Sequence, residues 1–322
     1  VLFYAIEYLV EAGIEDIGII VGDTRAEVKA AAGDGSRFGA KITYIEQDQP
    51  LGLAHAVKIA RDFLGDDRFV MLLGDNVIQG GIKRLIDGFL SRQMNCQIIL
   101  KQVPDPQNFG VARLDGDRVL QLIEKPREWV SDLALVGIYM FDENVFEAVN
   151  AIRPSRRGEL EITDAIQYLV ERDYVVRPFV HEGWWFDTGK MEDLLDVNRN
   201  VLETFVQHLD GTIDGDSKVY GRVVLEEGAE LVRSVVRGPA AIGRNTRIVN
   251  SYIGPFTSIY HDCQVTCSEV EHCIVMENCR ISDLPHRLED SLIGRNVELS
   301  LSSVKPRAYK MMLGDNSKVG LL

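Results

Sequence analysis

The chain of 322 residues carries 35 Lys and Arg against 49 Asp and Glu, a formal charge of −14, and 46% of its residues are hydrophobic. Phosphate backbones repel a net anion of this size, which argues against a nucleic-acid or membrane-surface binder, and the apolar content excludes a disordered chain. No apolar run approaches the roughly 20 residues of a bilayer-spanning helix and no signal peptide opens the sequence, so a soluble, cytoplasmic protein with two packed domains is expected.

The chain opens inside an amphipathic pattern. Leu2, Ala5, Ile6, Leu9 and Val10 share one helical face, and Gly13 ends the run. The strand Ile17 to Val21 follows, closed by Gly22-Asp23. Further strand-like runs lie at 42–45, 69–73, 98–103, 119–123, 135–141 and 175–180, with helical stretches near 24–32, 53–64, 80–92, 143–150, 162–172 and 191–207. The alternation predicts an α/β unit over residues 1–208 built on a Rossmann-like, mainly parallel, doubly wound sheet. Ligands of such sheets sit beyond the carboxyl ends of the strands.

Beyond residue 208 the helical period disappears. Ile213, Val219, Leu225 and Leu231 recur every six positions, and after a one-residue slip Ile242, Ile248, Ile259 and Val265 continue the series. One inward aliphatic per hexad predicts a parallel β-helix over 209–322, in which no single repeat buries its apolar residue alone. A β-sandwich would show two-residue alternation over longer strands instead. The segment from Leu313 reads as a last strand or cap. Cys263, Cys267, Cys273 and Cys279 cluster, yet no C-x-x-C pair marks a zinc site. Small buried cysteines, Cys96 included, are the expectation.

Four segments carry candidate chemistry. The apolar strand Phe69-Val-Met-Leu-Leu ends at Gly74-Asp75-Asn76, leaving a carboxylate at a strand end where it could hold Mg²⁺ or cap a helix. Trp184-Trp-Phe-Asp187-Thr-Gly189 repeats that pattern, so Asp187 either shares the metal with Asp75 or caps the helix near Met191. Gln47 offers a donor and an acceptor to a base edge, and Gly52 lets a flat group approach the backbone. His55 reads as a packed helix residue. Glu124-Lys125-Pro126 ends a strand, with Pro126 favouring an extended Lys125. The carboxylate suits sugar hydroxyls and the ammonium suits a phosphate, whereas a surface ion pair is the plain alternative.

In chain order, Gln47-x-x-Pro-x-Gly-Leu-Ala, Leu72-Leu-Gly-Asp-Asn76, Asn108-Phe-Gly-Val111, Glu124-Lys-Pro126, Gly158-Glu-Leu-Glu-Ile-Thr-Asp164 and Trp185-Phe-Asp-Thr-Gly189 closely resemble the sugar-1-phosphate nucleotidylyltransferases. The hexads resemble the left-handed β-helix of that family's long form, so the likeness spans the chain. The resemblance implies a Mg²⁺-dependent, in-line transfer of a nucleotidyl group from dTTP or UTP to glucose 1-phosphate, releasing pyrophosphate. It implies catalytic roles for Asp75, Asp187 and Lys125, with the two aspartates as metal ligands. Gln47 and Gly52 match the base contacts, and Gly110, Glu124 and Lys125 the sugar-phosphate contacts. Val136 falls where the sugar pocket is lined, and Arg157 near the active site. Phe109 stands where the family often has Tyr.

One departure concerns the start. The family's first strand, its Gly-x-Gly-x-x-x-Arg loop and its Lys-Pro element precede a helix like that at Val1, so an N-terminally shortened sequence is expected. A non-catalytic, nucleotide-sugar-binding scaffold is the alternative that this departure supports. A second alternative is a hexapeptide acyltransferase working through His261 or His272. The flat faces of the β-helix suggest a homo-oligomer.

Overall fold

The computed structural model describes residues 1–191, 193–301, 311–312 and 317–320. The segment Leu313–Asn316, expected to begin a terminal strand or cap, lies outside the described residues. The described chain forms two compact units, Val1–Lys190 and Met191–Leu322.

In the first unit the elements run α1 (Leu2–Glu11), β1 (Asp16–Val21), α2 (Arg25–Ala32), β2 (Lys41–Glu46), α3 (Leu53–Ile59), α4 (Arg61–Leu64), β3 (Phe69–Leu72), β4 (Asn76–Ile78) and α5 (Lys83–Leu90). There follow β5 (Cys96–Gln102), β6 (Gly110–Asp115), β7 (Arg118–Glu124), β8 (Leu133–Phe141), α6 (Val145–Ala151), α7 (Ile162–Glu171), β9 (Val176–Val180) and β10 (Trp185–Asp187). The main sheet has the order β7-β6-β8-β5-β9, with β3 also on β8. Strand β8 explains its two-sided core. Leu135, Tyr139 and Phe141 face a cluster with α3, α6 and α7, while Val136, Ile138 and Met140 face one with α5. An apolar strand buried on both faces is what helices on either side require.

Strands and helices alternate as expected, but the sheet is mixed. Pairs β1–β2 and β5–β9 are parallel, whereas β8 runs antiparallel to β3, β5 and β6. The antiparallel pairing extends to β7. A tight hairpin reverses the chain between β6 and β7, and parallel neighbours need a long crossover instead. Among the described residues β1 pairs only with β2, and β3 only with β8.

The second unit begins with helix α8 (Asp193–Thr204) and continues as a parallel β-solenoid of three stacked ladders. Val223 pairs with Ala240 and Ala240 with Thr257, 17 residues on each time. Buried Leu225, Leu231, Val236 and Ile242 trace one coil, so two sides step by six residues and one by five. The slip expected once therefore recurs in each of these coils. At the short corner Arg233, Asn250 and Cys267 adopt positive φ of 48°, 46° and 47°. Beside it a serine ladder satisfies the main chain: Ser234, Ser251 and Ser268 N–H donate to the hydroxyls of Ser217, Ser234 and Ser251 at 3.0, 3.1 and 3.2 Å.

Cys96, Cys263, Cys273 and Cys279 are buried, as expected, and burial pushes the Cys263 and Cys273 thiols up to about 11. Cys267 departs from that expectation. It is exposed because it occupies the left-handed corner rather than an inward position. Among the described residues no helix is long and apolar enough to cross a membrane.

The compact units are drawn at a different point from the expected domains. The sequence places the boundary after residue 208, but the compact units divide after Lys190. Helix α8 joins the solenoid through Asn198, whose amide donates to the Phe256 carbonyl at 2.9 Å and accepts from the Ser258 hydroxyl at 2.6 Å.

Candidate active site

Strand β3 is wholly apolar and stops before Gly74, which leaves Asp75 exposed beyond its end. The chain then enters a second strand rather than a helix. Strand β4 pairs antiparallel with β10 and sets Asp187 opposite Asn76. One position on, Thr188 donates from its main-chain N at 3.0 Å and its hydroxyl at 2.7 Å to the Asp75 carbonyl. Two aspartates from distant segments thus lie one ladder step apart. The buried Asn76 ties the step together: its Nδ2 donates to Asp75 Oδ1 at 2.8 Å, and its Oδ1 accepts from Trp185 Nε1 at 2.6 Å. Asp187 Oδ1 accepts from Gly189 N at 3.1 Å, an Asx-type turn, while α8 begins only at Asp193. Asp75 is followed by a strand and caps no helix.

Ring contact carries the site to the next motif. Phe109 meets Trp185 edge-on with centroids 5.3 Å apart, and the Phe109 carbonyl accepts from Lys125 N at 3.0 Å. In the β6–β7 ladder Gly110 stands opposite Glu124. A Cβ on Gly110 would lie 2.7 Å from Thr163 Cγ2 and 2.8 Å from Glu124 Oε2, so only glycine allows the approach. Lys125 is exposed, but its φ is +41°, not the extended value that Pro126 favours. The ladder ends at Glu124, and the bond to Phe109 turns the next residue.

Glu124 is mostly enclosed. Thr163 Oγ1 donates to its Oε2 at 3.3 Å, and Arg157 Nη1 lies 3.4 Å from its Oε1. The same guanidinium lies 2.9 Å from Glu159 and 3.6 Å from the buried Glu161. Burial raises the Glu124 pKa above the usual carboxylate range and the Glu161 charge adds to it, against opposition from Lys125, Arg157 and Thr163.

Gln47 follows β2, and its Nε2 lies 3.0 Å from His55 Nδ1 and 3.4 Å from the Gly52 carbonyl. His55 is therefore not only a packed residue; it orients Gln47. Gly52 has φ +100°, and a Cβ there would stand 2.5 Å from the Leu160 carbonyl oxygen. That closeness is structural: Ala54 N donates to Leu160 O at 3.0 Å and Leu160 N to Leu51 O at 2.7 Å. The Gln47–Gly52 loop is thereby fastened to the segment bearing Arg157, Glu159 and Glu161. Val136 is different. The whole residue, main chain included, is enclosed in the cluster with α5.

The structure thus links Gln47 and Gly52, through the Leu160 strap and Arg157, to Glu124, Gly110 and Lys125, and through Phe109 and Trp185 to Asp75 and Asp187. Sequence reasoning gave no role to Asn76, Trp185 or Thr163. Their adjacency to Asp75, Asp187 and Asp164 was the available signal. Among the described residues no group of three His, Cys, Asp or Glu is arranged to hold a metal. Two carboxylates supply oxygen donors only. A hard ion completed by waters and phosphate oxygens fits that donor set; a site made wholly of protein ligands does not.

Residues 1–204 match the family model described as nucleotidyl transferase. The chain is 53% identical over 321 residues to a glucose-1-phosphate thymidylyltransferase of Streptomyces antibioticus, covering 99% of this chain and 90% of that protein. It is 51% identical over 319 residues to the enzyme of that description from Streptomyces griseus, with the same coverage. A Bacillus anthracis protein crystallised with sucrose and described as a glucose-1-phosphate thymidylyltransferase superposes with a TM-score of 0.57 at 36% identity, over 61% of this chain and 80% of that one.

Proposed function

Because this chain belongs to the nucleotidyl transferase family, we propose that it transfers a thymidylyl group from dTTP to glucose 1-phosphate and releases pyrophosphate. The thymidine nucleotide and the glucose are supported by the two Streptomyces relatives. The observation that carries the site assignment is the β4–β10 ladder, which sets Asp187 beside Asp75 at a strand end.

In the reaction a phosphate oxygen of glucose 1-phosphate bonds to the α-phosphorus as its bond to pyrophosphate breaks. No covalent enzyme intermediate is required, so positioning and charge neutralisation supply the rate. Asp75 and Asp187 would hold Mg²⁺, which when bound offsets charge on the α-phosphate. Lys125 sets an exposed ammonium at the end of β7, where it draws the sugar phosphate towards a second anion. Glu124 accepts from sugar hydroxyls opposite Gly110. Gln47, oriented by His55, reads the base edge over Gly52. A cytoplasmic location follows the nucleoside triphosphate supply, and the stacked solenoid ladders favour self-association.

The test is pyrophosphate release from dTTP or UTP with glucose 1-phosphate, in the wild type and in Asp75→Asn and Asp187→Asn. Each variant is expected to lose about a hundredfold or more in kcat with an unchanged circular dichroism spectrum. Near-normal turnover in both would remove the metal assignment. Preference for UTP would replace thymidylyl with uridylyl transfer.

A further inference from the structure

Trp129 is 79% exposed, the highest value for a large apolar side chain between Val1 and Lys190. It rides on the segment that links β7 to β8, which has no regular structure. That segment is pinned at both ends. Lys125 N donates to the Phe109 carbonyl at 3.0 Å, and Val103 N and Gln102 Nε2 donate to the Asp132 carbonyl and carboxylate at 2.9 and 2.6 Å. Between the pins, among the described residues, Arg127–Val130 make no hydrogen bond and the indole makes no ring or cation contact. Four residues span at most about 14 Å, so Trp129 is tethered within that distance of Lys125. An indole has a large apolar face and is costly to leave in water. Here it stands on an unbonded strap at the edge of the site.

We infer that Trp129 is a specificity-determining residue that folds over the site and stacks on the apolar face of the bound hexose. The inference rests on the nucleotidyl-transfer reading above. The hexose is the occupant because the strap leaves the sheet at Glu124 and Lys125, which face the sugar phosphate. The base side is occupied by Gln47, Gly52 and His55 on another segment, fastened to Leu160. The strap closes because its fixed ends leave four residues, Arg127–Val130, free to swing without breaking a hydrogen bond.

Iodide quenching of tryptophan fluorescence, compared between wild type and Trp129→Phe, isolates the Trp129 signal. Saturating dTDP-glucose is expected to shield it and dTDP to leave it quenchable. Trp129→Ala is expected to raise KM for glucose 1-phosphate about fivefold to tenfold, the range of one aromatic stacking contact. The kcat and the KM for dTTP stay within about twofold, and Trp129→Tyr restores the wild-type KM. Equal quenching with and without dTDP-glucose, equal shielding by dTDP, or an unchanged KM in Trp129→Ala overturns the inference. Wild-type pyrophosphate release reports separately on the nucleotidyl-transfer reading, so a chain that turns over but leaves Trp129 quenchable fails here alone.

Discussion

Glu124 is a carboxylate whose surroundings disagree. Burial and the Glu161 charge raise its pKa, while Lys125, Arg157 and the Thr163 hydroxyl pull it down. A carboxyl with a raised folded pKa stabilises the protein in acid, below its unfolded value, and loses that contribution as pH climbs through the folded value. Removing Arg157 deletes one of the opposing cations, so Arg157→Met is expected to push the Glu124 pKa further up. If the ionised form accepts from sugar hydroxyls, the acid limb of 1/KM for glucose 1-phosphate moves to higher pH in the variant. A pH profile of 1/KM checks this, and an unmoved limb would mean that Glu124 does not face the sugar. The same variant releases Glu159 and Glu161 from their shared partner. Its thermal midpoint is therefore expected to fall more at pH 8 than at pH 5.

Among the elements, the short β4–β10 pair is the most consequential. Three residues a side are held by Asn76, which is 3% exposed and bridges Trp185 to Asp75. Replacing Asn76 by Leu leaves the indole N–H without its acceptor and Asp75 without its donor. That costs about 1–3 kcal/mol of stability and, through a displaced carboxylate, about tenfold or more in kcat. Urea midpoints and pyrophosphate release read the two effects separately. A stability loss with normal turnover would detach Asn76 from the chemistry. Much of this region was legible in sequence: an apolar run ending in Gly-Asp marks a strand end, and hexads mark a solenoid. Strands β4 and β6 were not legible, because three residues and a glycine-led start give too little periodicity. The partnering of β4 with β10 was hidden for a different reason, since pairing between segments so distant leaves no trace in either one alone. Lys125 shows the same limit. The proline after it argues for extended backbone, and a tertiary bond to Phe109 overrules it.

At the scale of the molecule, helix α8 decides where one unit ends. Its apolar period and its place after the last α/β strand assign it to the first unit by sequence, yet its polar residues belong to the second. Asn198 bonds Phe256 and Ser258, Arg199 lies 4.8 Å over the Phe256 ring, and the Glu203 carbonyl accepts from Arg222 at 2.6 Å. Phe256 and Ser258 lie at an interior rung of the solenoid, so α8 packs along its side rather than over its end. Asn198→Ala in the full chain removes two hydrogen bonds and strands the Ser258 hydroxyl. The expected loss is about 1–3 kcal/mol, or about 5 °C in the melting transition of the solenoid unit. Calorimetry reads that transition, while the temperature at which pyrophosphate release fails follows the first unit. If Asn198→Ala lowered the activity midpoint and left the solenoid transition unchanged, α8 would belong with the α/β unit and the boundary near residue 208 would stand. The hydrogen bonds of Asn198 and of the Glu203 carbonyl run the other way, because their partners Phe256, Ser258 and Arg222 all lie in the solenoid.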